Sequence, residues 1–464
     1  MSENIREIAL DTLLTLEKEK EFSNRLMKAV LDKYDYLPVR DKAFLKRVVE
    51  GSVERQIELD YHLDHFSSVA VRKMKPLIRC LLRMSVYQIL YMDAVPDSAI
   101  CDEACKLAAK RKFVNLKGFV NGILRKISRE KTQLPMPDPD KEPVLFLSVT
   151  YSMPKWIVEK WIAEYDREVT KTILSGLMDI HPVSLRFQPD SVKEQREQLL
   201  KDMEINGVKL NQSKYLDYVY TANNVEGVNN LPGFSEGAFT VQDVSSALSV
   251  VMANIKKTDY VMDACAAPGG KTCMAAKFAH KVLSRDVSED KCAFIEEALE
   301  RMELTNVCVE PYDATVLDEK QIEKADVLLL DVPCSGLGIM GKKRDIKYHV
   351  TEEGLKEIVE LQKKIVKTCL SYVKPGGTLL YSTCTINNEE NAGMVRWILK
   401  EFDFEPYPFS ENLPAELVKD REAYHQVLGK KRKNKDMDDY TMQLLPGFMQ
   451  ADGFFFARLK RKEN

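Results

Sequence analysis

The sequence predicts a multidomain protein: an all-α bundle at the N-terminus, a small α+β module in the middle, and a C-terminal α/β domain with a doubly wound sheet. Three observations predict it. Apolar residues recur at three- and four-residue spacings up to residue 131, four prolines (Pro135, Pro137, Pro139 and Pro143) then crowd one segment, and from about residue 237 strand and helix patterns alternate. At 464 residues the chain exceeds one ordinary domain, and typical sizes suggest about three.

In residues 1–131 the helical period is carried by Ile5, Ile8 and Leu13, by Leu26, Val30 and Leu31, by Phe44, Val48 and Val49, and by Leu81, Leu82, Val86 and Ile89. Residues 132–143 hold the prolines, which suit neither a helix interior nor a central strand, and read as a linker. Residues 144–236 mix the helix YSMPKWIVEKWIAEY, a strand PVSLRF at 182–187, the polar helix VKEQREQLLKDM and the short runs VKL and YVYT. Their aromatic residues read as core rather than as a base-stacking platform.

In residues 237–464, Tyr260-Val261-Met262 is a strand entering a glycine-rich turn, VLSRD ends a second strand, and DKCAFIEEALERMEL is an amphipathic helix with Ile295, Leu299 and Met302 on one face. VCVEPYD and DVLLLDVPC follow, then a long helix over 355–373, Pro375-Gly376-Gly377 and the strand TLLYSTCT. Such alternation gives parallel strands, whose ligands bind at the strands' carboxyl ends.

Composition narrows the function classes. The 68 Lys+Arg balance 71 Asp+Glu for a net charge of −3, so a surface for a polyanion has to be local. The opening residues lack the uninterrupted apolar core of a secretory signal. No apolar run of about 18 residues suggests a membrane span, so a cytoplasmic protein without membrane association is expected. Ten cysteines without a Cys-x-x-Cys pair suggest reduced thiols and no metal site.

The turn after the first strand reads DACAAPGGKT, from Asp263 to Thr272. Its glycines let backbone approach a ligand and aim a helix N-terminus at it. A nucleotide-phosphate loop needs a glycine where Cys265 stands, and a G-x-G-x-x-G fingerprint is absent. The third reading is a loop for a methyl donor, whose sulfonium cofactor carries a carboxylate, a ribose and an adenine. Acids at successive strand ends favour it: Asp286 lies 17 residues after Gly269, the place of a ribose ligand, and Asp313 ends the next strand.

The two following strands end in Asp331-Val332-Pro333-Cys334 and Thr383-Cys384, which puts both thiols in one crevice beside that loop. Carbon 5 of cytosine is a poor nucleophile, and a thiolate adding to carbon 6 turns the ring into an enamine that can attack a methyl sulfonium. Asp331 suits hydrogen bonding to the base. Enzymes acting on exocyclic amines tend to carry Asp/Asn-Pro-Pro-aromatic here, and this chain departs from that pattern with Cys334.

DACAAPGGKT, LLDVPCSGLG, LLYSTCT with NNEEN after it, and the closing LLPGFMQADGFFFARLKR resemble the motifs of the Sun, NOL1 and NSUN family of RNA 5-methylcytosine methyltransferases. VRDKAFLKRVVEGSVERQ and GFVNGILRKI resemble the NusB-like domain that accompanies the RsmB-type enzymes of 16S ribosomal RNA. The resemblance covers nearly the whole chain. It implies a Rossmann-like methyltransferase domain, S-adenosyl-L-methionine as cofactor and 16S ribosomal RNA as substrate, with another RNA such as tRNA, or a non-catalytic assembly factor, as alternatives. It further implies Cys384 as nucleophile, Cys334 as the residue that helps release product, and Cys265, Ala266, Ala267, Pro268, Gly269, Gly270, Lys271, Asp286, Asp313 and Asp331 at the cofactor. A monomer is the expected state.

Basic runs supply candidate RNA contacts. From Lys106 to Lys131 nine basic residues face one acid, Glu130, and Lys110, Arg111, Lys112, Arg125 and Lys126 are taken as phosphate contacts. A second set, Lys342, Lys343, Arg344 and Lys347, follows the Cys334 motif; here the RsmB-type pattern has two arginines and a proline before Asp-Ile-Lys-Trp, and this chain has GKKR before Asp345-Ile346-Lys347-Tyr348. Lysine cannot reproduce a bidentate arginine contact. The run Lys430, Lys431, Arg432, Lys433 and Lys435 reads as a solvated insertion.

Overall fold

The computed structural model describes residues 4–19, 22–179, 181–225, 227–428 and 439–463, so the lysine-rich run at 430–435 lies outside the described residues. The chain separates into two compact units, Met1–Leu174 with Lys342–His349, and Ser175–Gly341 with Val350–Asn464.

The first unit is helical: α1 (Ile5–Glu19), α2 (Ser23–Lys33), α3 (Val39–Glu54), α4 (Gln56–Phe66), α5 (Pro76–Tyr91), α6 (Asp97–Lys110), α7 (Lys117–Glu130), α8 (Pro143–Thr150) and α9 (Lys155–Tyr165), with α10 (Arg167–Met178) beginning in it. PLIRCLLRMSVYQILY is apolar most of the way round, so α5 occupies the centre, with Leu81, Leu82 and Val86 fully buried. Its two arginines meet carboxylates: Arg83 reaches Asp60 at 2.6 Å and Arg79 pairs with Glu17.

The observed division departs from the expected domain limits. Helices α8 and α9, expected to open the middle module at 144, belong to the helical unit, where Ser152 Oγ accepts from Ile57 N at 2.9 Å and Trp161 is fully buried. The run VLFLSV has no polar face, so α8 takes cover against a helix bundle rather than opening a separate core.

Residues 342–349 also join this unit, although the sequence expectation attached them to the Cys334 loop. Asp345, buried, accepts from Ser23 N at 2.5 Å; Arg344 pairs with Glu50 and Glu54, each at 3.3 Å; and Lys347, 3% exposed, donates to the Glu54 carbonyl at 2.8 Å. Lys347 is therefore buried against protein partners, which corrects its assignment as a phosphate contact, and Arg344 is paired within the unit.

The second unit begins with a small antiparallel sheet of β1 (Val183–Phe187), β2 (Lys209–Gln212), β3 (Val219–Asn223) and β4 (Phe239–Val241), in the order β2-β3-β1-β4, with α11 (Lys193–Ile205) between β1 and β2. Leu185, Phe187, Met203 and Phe239 form its core. β4 lies past the expected limit at 236; a three-residue strand is too short to show a period.

Then come α12 (Val244–Met252), β5 (Tyr260–Asp263), α13 (Gly270–Phe278), β6 (Lys281–Asp286), α14 (Glu289–Arg301), β7 (Val307–Pro311), β8 (Ala325–Asp331), α15 (Ile346–His349) in the first unit, α16 (Glu352–Cys369), β9 (Val373–Thr383), α17 (Ala392–Glu401), β10 (Phe404–Pro406), α18 (Ala415–Leu428), β11 (Thr441–Leu444) and β12 (Phe454–Arg461). The large sheet has the order β10-β12-β9-β8-β5-β6-β7, with β11 on β12. Strands β5 to β9 pair in parallel, as the alternation predicts, whereas β12 enters antiparallel to β9. The order reverses at β5, so the crevice at its carboxyl end is the ligand position of a doubly wound sheet.

Burial pushes the Lys347 ammonium down to about 7, while in an unfolded chain it keeps its proton to about 10.4. Between those values the unfolded chain binds more protons, so this group's contribution to stability grows as pH rises through the window and is lost as pH falls through 7. The stability of the wild type relative to Lys347→Met is expected to rise between about pH 7 and pH 9, by at most about 1.4 kcal/mol per pH unit. Unfolding experiments at several pH values measure this, and a pH-independent difference would refute it.

Candidate active site

The glycine-rich turn joins β5 to α13. Gly269 has φ +98°, and a Cβ there would stand 3.2 Å from the Ile295 Cα on α14, so the turn needs glycine for both its conformation and its clearance. Beneath the turn Asp263 is fully buried; it accepts from Thr272 Oγ1 at 2.7 Å, and its Oδ1 has no partner among the described residues. Burial pushes this carboxyl up to about 7. Asp286, at the end of β6, accepts from Ala267 N at 2.9 Å, Val287 N at 2.8 Å and Lys291 Nζ at 2.9 Å. A carboxylate offers about four acceptor sites, which leaves room for one more donor. Asp313 is exposed, and its Oδ1 accepts from Thr315 N and Oγ1, both at 2.8 Å, as in a turn.

Lys271 decides between the readings of this loop. Its Nζ lies 2.6 Å from Asp331 Oδ2 and 5.2 Å from the centre of the Phe454 ring, so it is tied to the end of β8 rather than presented to a phosphate. With an acid below the turn that keeps one oxygen unpaired among the described residues, an α-helix N-terminus above it and an acceptor at the ribose position, the residues fit a sulfonium nucleoside bearing a carboxylate.

The register of β8 against β9 sets Asp331 opposite Ser382, whose Oγ donates to Asp331 Oδ1 at 2.7 Å. Beyond this pair the loops converge, and Cys334 Sγ lies 3.0 Å from Cys384 Sγ, both cysteines free. The neighbouring Cys384 sulfur, and then burial, push the Cys334 thiol well above its ordinary range. Cys334 therefore keeps its proton, and either sulfur can be the donor in the contact between them. The C-terminal motif closes the arrangement: Gly338 N donates to the Cys384 carbonyl at 3.1 Å, and Gly453 N donates to the Gly338 carbonyl at 2.9 Å. A Cβ on Gly338 would run into the Gly453 carbonyl.

The structure thus brings together Cys334, Cys384, Asp331, Lys271 and the loop from Cys265 to Gly270. It places all the candidate RNA contacts, Lys110 to Lys126 and Lys342 to Lys347, in the helical unit. There Lys110 is paired with Glu7, and Arg111 with Glu7 and Asp11, whereas Lys112, Arg125 and Lys126 are exposed and form no ion pair among the described residues. Lys342 and Lys343 are exposed as well. Sequence reasoning missed Ser382, Phe454, Gly338 and Gly453. The glycine pair carried a signal, since each stands in a quoted motif.

A sheet in this order with a glycine turn at its reversal point and paired cysteines at the next two strand ends defines a methyltransferase. A family model described as 16S rRNA methyltransferase RsmB/F matches residues 250–460, and one described as NusB family matches residues 3–129. The probable ribosomal RNA small subunit methyltransferase B of Bacillus subtilis (strain 168) is 32% identical over 471 residues, covering 99% of each chain. This chain belongs to that family. Among solved structures, PH0851 superposes with a TM-score of 0.77 at 23% identity over 100% of both chains, and NSun6 from Pyrococcus horikoshii with SFG with a TM-score of 0.56 at 19% identity over 67% of this chain and 99% of that one. These two likenesses concern the fold. Among the described residues no helix is long and apolar enough to cross a membrane, and no acid, histidine and cysteine group could hold a metal.

Gly269→Ala is expected to destabilise the protein by about 1–3 kcal/mol through its backbone conformation and its contact with α14. Thermal unfolding measures it, and an unchanged midpoint would contradict the role given to the turn.

Proposed function

We propose that this protein methylates carbon 5 of a cytosine in 16S ribosomal RNA, with S-adenosyl-L-methionine as methyl donor and Cys384 as covalent nucleophile. The observation that carries this reading is the 3.0 Å approach of Cys334 and Cys384 at adjacent strand ends beside Asp331. The substrate class follows the name of the curated relative, which is similar over 99% of its length.

The loop from Cys265 to Lys271 with Asp286 and Asp313 would hold the cofactor, which supplies an electrophilic methyl on sulfonium. Cys384 gives up its thiol proton to solvent and adds to carbon 6, so that the ring's electron pair is available at carbon 5. Asp331 accepts from the exocyclic amine, and Lys271, paired with it, offsets the negative charge that builds on the ring. After methylation the C5–H bond breaks and its electron pair forms the C5–C6 double bond, while the C6–S bond breaks with its pair on Cys384. Cys334 hands its proton to that sulfur and its own sulfur takes the proton from carbon 5. The pair ends as two thiols, and one proton has gone to solvent per turnover. Lys112, Arg125 and Lys126 on the helical unit supply phosphate contacts that position the RNA.

Cys384→Ala is expected to abolish methylation while leaving cofactor affinity within about threefold of wild type; retained activity in a methyl-transfer assay would sink the covalent reading. Cys334→Ala is expected to accumulate a protein–RNA adduct, seen as a slow band on a denaturing gel. Deletion of the gene followed by bisulfite sequencing of ribosomal and transfer RNA identifies the substrate: loss of one protected cytosine in 16S RNA is the expected outcome, and loss in transfer RNA alone overturns it.

A further inference from the structure

The motif NNEEN, residues 387–391, follows the Cys384 strand end and has no part in the chemistry above. Its Glu390 is 0% exposed. Oε2 accepts from Ser335 N at 2.9 Å and Gln362 Nε2 at 3.0 Å, and Oε1 accepts from Ser335 Oγ at 2.5 Å and Asn387 Nδ2 at 3.0 Å. Gln362 Nε2 also donates to the Pro333 carbonyl at 2.9 Å. The backbone groups on both sides of Cys334 are thus held, one by the carboxylate and the other by a carboxamide bound to it. Ser335 Oγ lies 2.8 Å from Thr385 Oγ1, which ties the same cluster to the residue after Cys384.

The choice of a carboxylate is informative. Four donors converge on Glu390, which matches the acceptor capacity of a carboxylate, and no lysine or arginine forms an ion pair with it among the described residues. Burying such a group is costly. A glutamine would turn an N–H₂ group into a ring of donors and lose at least one bond. The negative charge also acts on Cys334, as one of the lesser causes, after Cys384 and burial, that favour its protonated form.

We propose that Glu390 is a positioning residue for the release step: through Ser335 and Gln362 it fixes the Pro333–Ser335 loop so that the Cys334 sulfur faces the sulfur of Cys384. This rests on the covalent reading above. Addition and methyl transfer depend on Cys384 and the cofactor loop, so weakening the clamp leaves them in place and slows elimination.

The test compares wild type, Cys334→Ala, Glu390→Gln and Gln362→Met with 16S RNA from a strain lacking the gene. First-turnover 5-methylcytosine, steady-state turnover and covalent adduct are each measured. For Glu390→Gln the first turnover is expected within about threefold of wild type, while steady-state turnover falls about ten- to a hundredfold, the usual consequence of misplacing a reacting group by about 1 Å. Adduct is expected to accumulate as it does in Cys334→Ala. A purely structural role would lower first and later turnovers together without adduct. If Glu390→Gln does not fold, judged by cofactor binding, Gln362→Met carries the same expectation, since it removes the bonds to Pro333 and Glu390 and leaves the carboxylate with its bonds to Ser335 and Asn387. Adduct in Cys334→Ala but in neither folded clamp variant overturns the proposal. Absence of adduct in Cys334→Ala itself overturns the covalent-release reading, and the clamp proposal with it.

Discussion

Parallel pairing of β8 with β9 sets Asp331 level with Ser382, and the geometry of the site follows from that register. Because both chains leave the sheet at the same height, Cys334 and Cys384 need only short loops to meet, and Asp331 can be held by Ser382 on one oxygen and Lys271 on the other. A shift of one residue in either strand would turn Asp331 or Ser382 to the opposite face and break the bond between them. The sheet fixes this register by burying Leu328, Leu330, Leu379 and Tyr381 in one core, so packing far from any ligand determines where the thiols stand.

Buried polar groups complete that placement. Asp263, Glu390 and Lys347 all lie in the interior, and each meets a different need. Asp263 supports the glycine turn through Thr272, Glu390 gathers the loop around Cys334, and Lys347 anchors the 342–349 segment by its bond to the Glu54 carbonyl. Each makes its own segment adopt one arrangement, because any other would leave a charged group without its bonds.

Much of this was legible in the sequence, for a physical reason. Strands β5, β6, β8 and β9 are largely buried on both faces, and β8 carries a continuous apolar run; the motifs stand directly after β5, β8 and β9, so the glycine turn, Cys334 and Cys384 could be placed by counting. Strand β12 was not legible as a strand, since FFFARLKR shows no alternation: it lies between β9 and β10, and its first six residues are all buried. Charge misled for the opposite reason. Arg344 and Lys347 look like solvent-facing cations in sequence, and only the fold brings Glu50 and Glu54, some 290 residues away, up to them. Glu390 was hidden the same way, because an acid in a polar run carries no local sign of burial.

The excursion of residues 342–349 into the helical unit has a consequence for how the molecule can be divided. The backbone passes from one unit to the other at 174–175, at 341–342 and again at 349–350, so the architecture is interleaved rather than sequential. A fragment made by cutting once near residue 174 would carry Asp345, Ile346 and Lys347 away from the groups that bury them, and the helical remainder would keep Glu50 and Glu54 without Arg344. The eight residues are held against the bundle through Asp345, Arg344 and Lys347, so the helical unit is completed by a segment that lies after the Cys334 strand end in the chain.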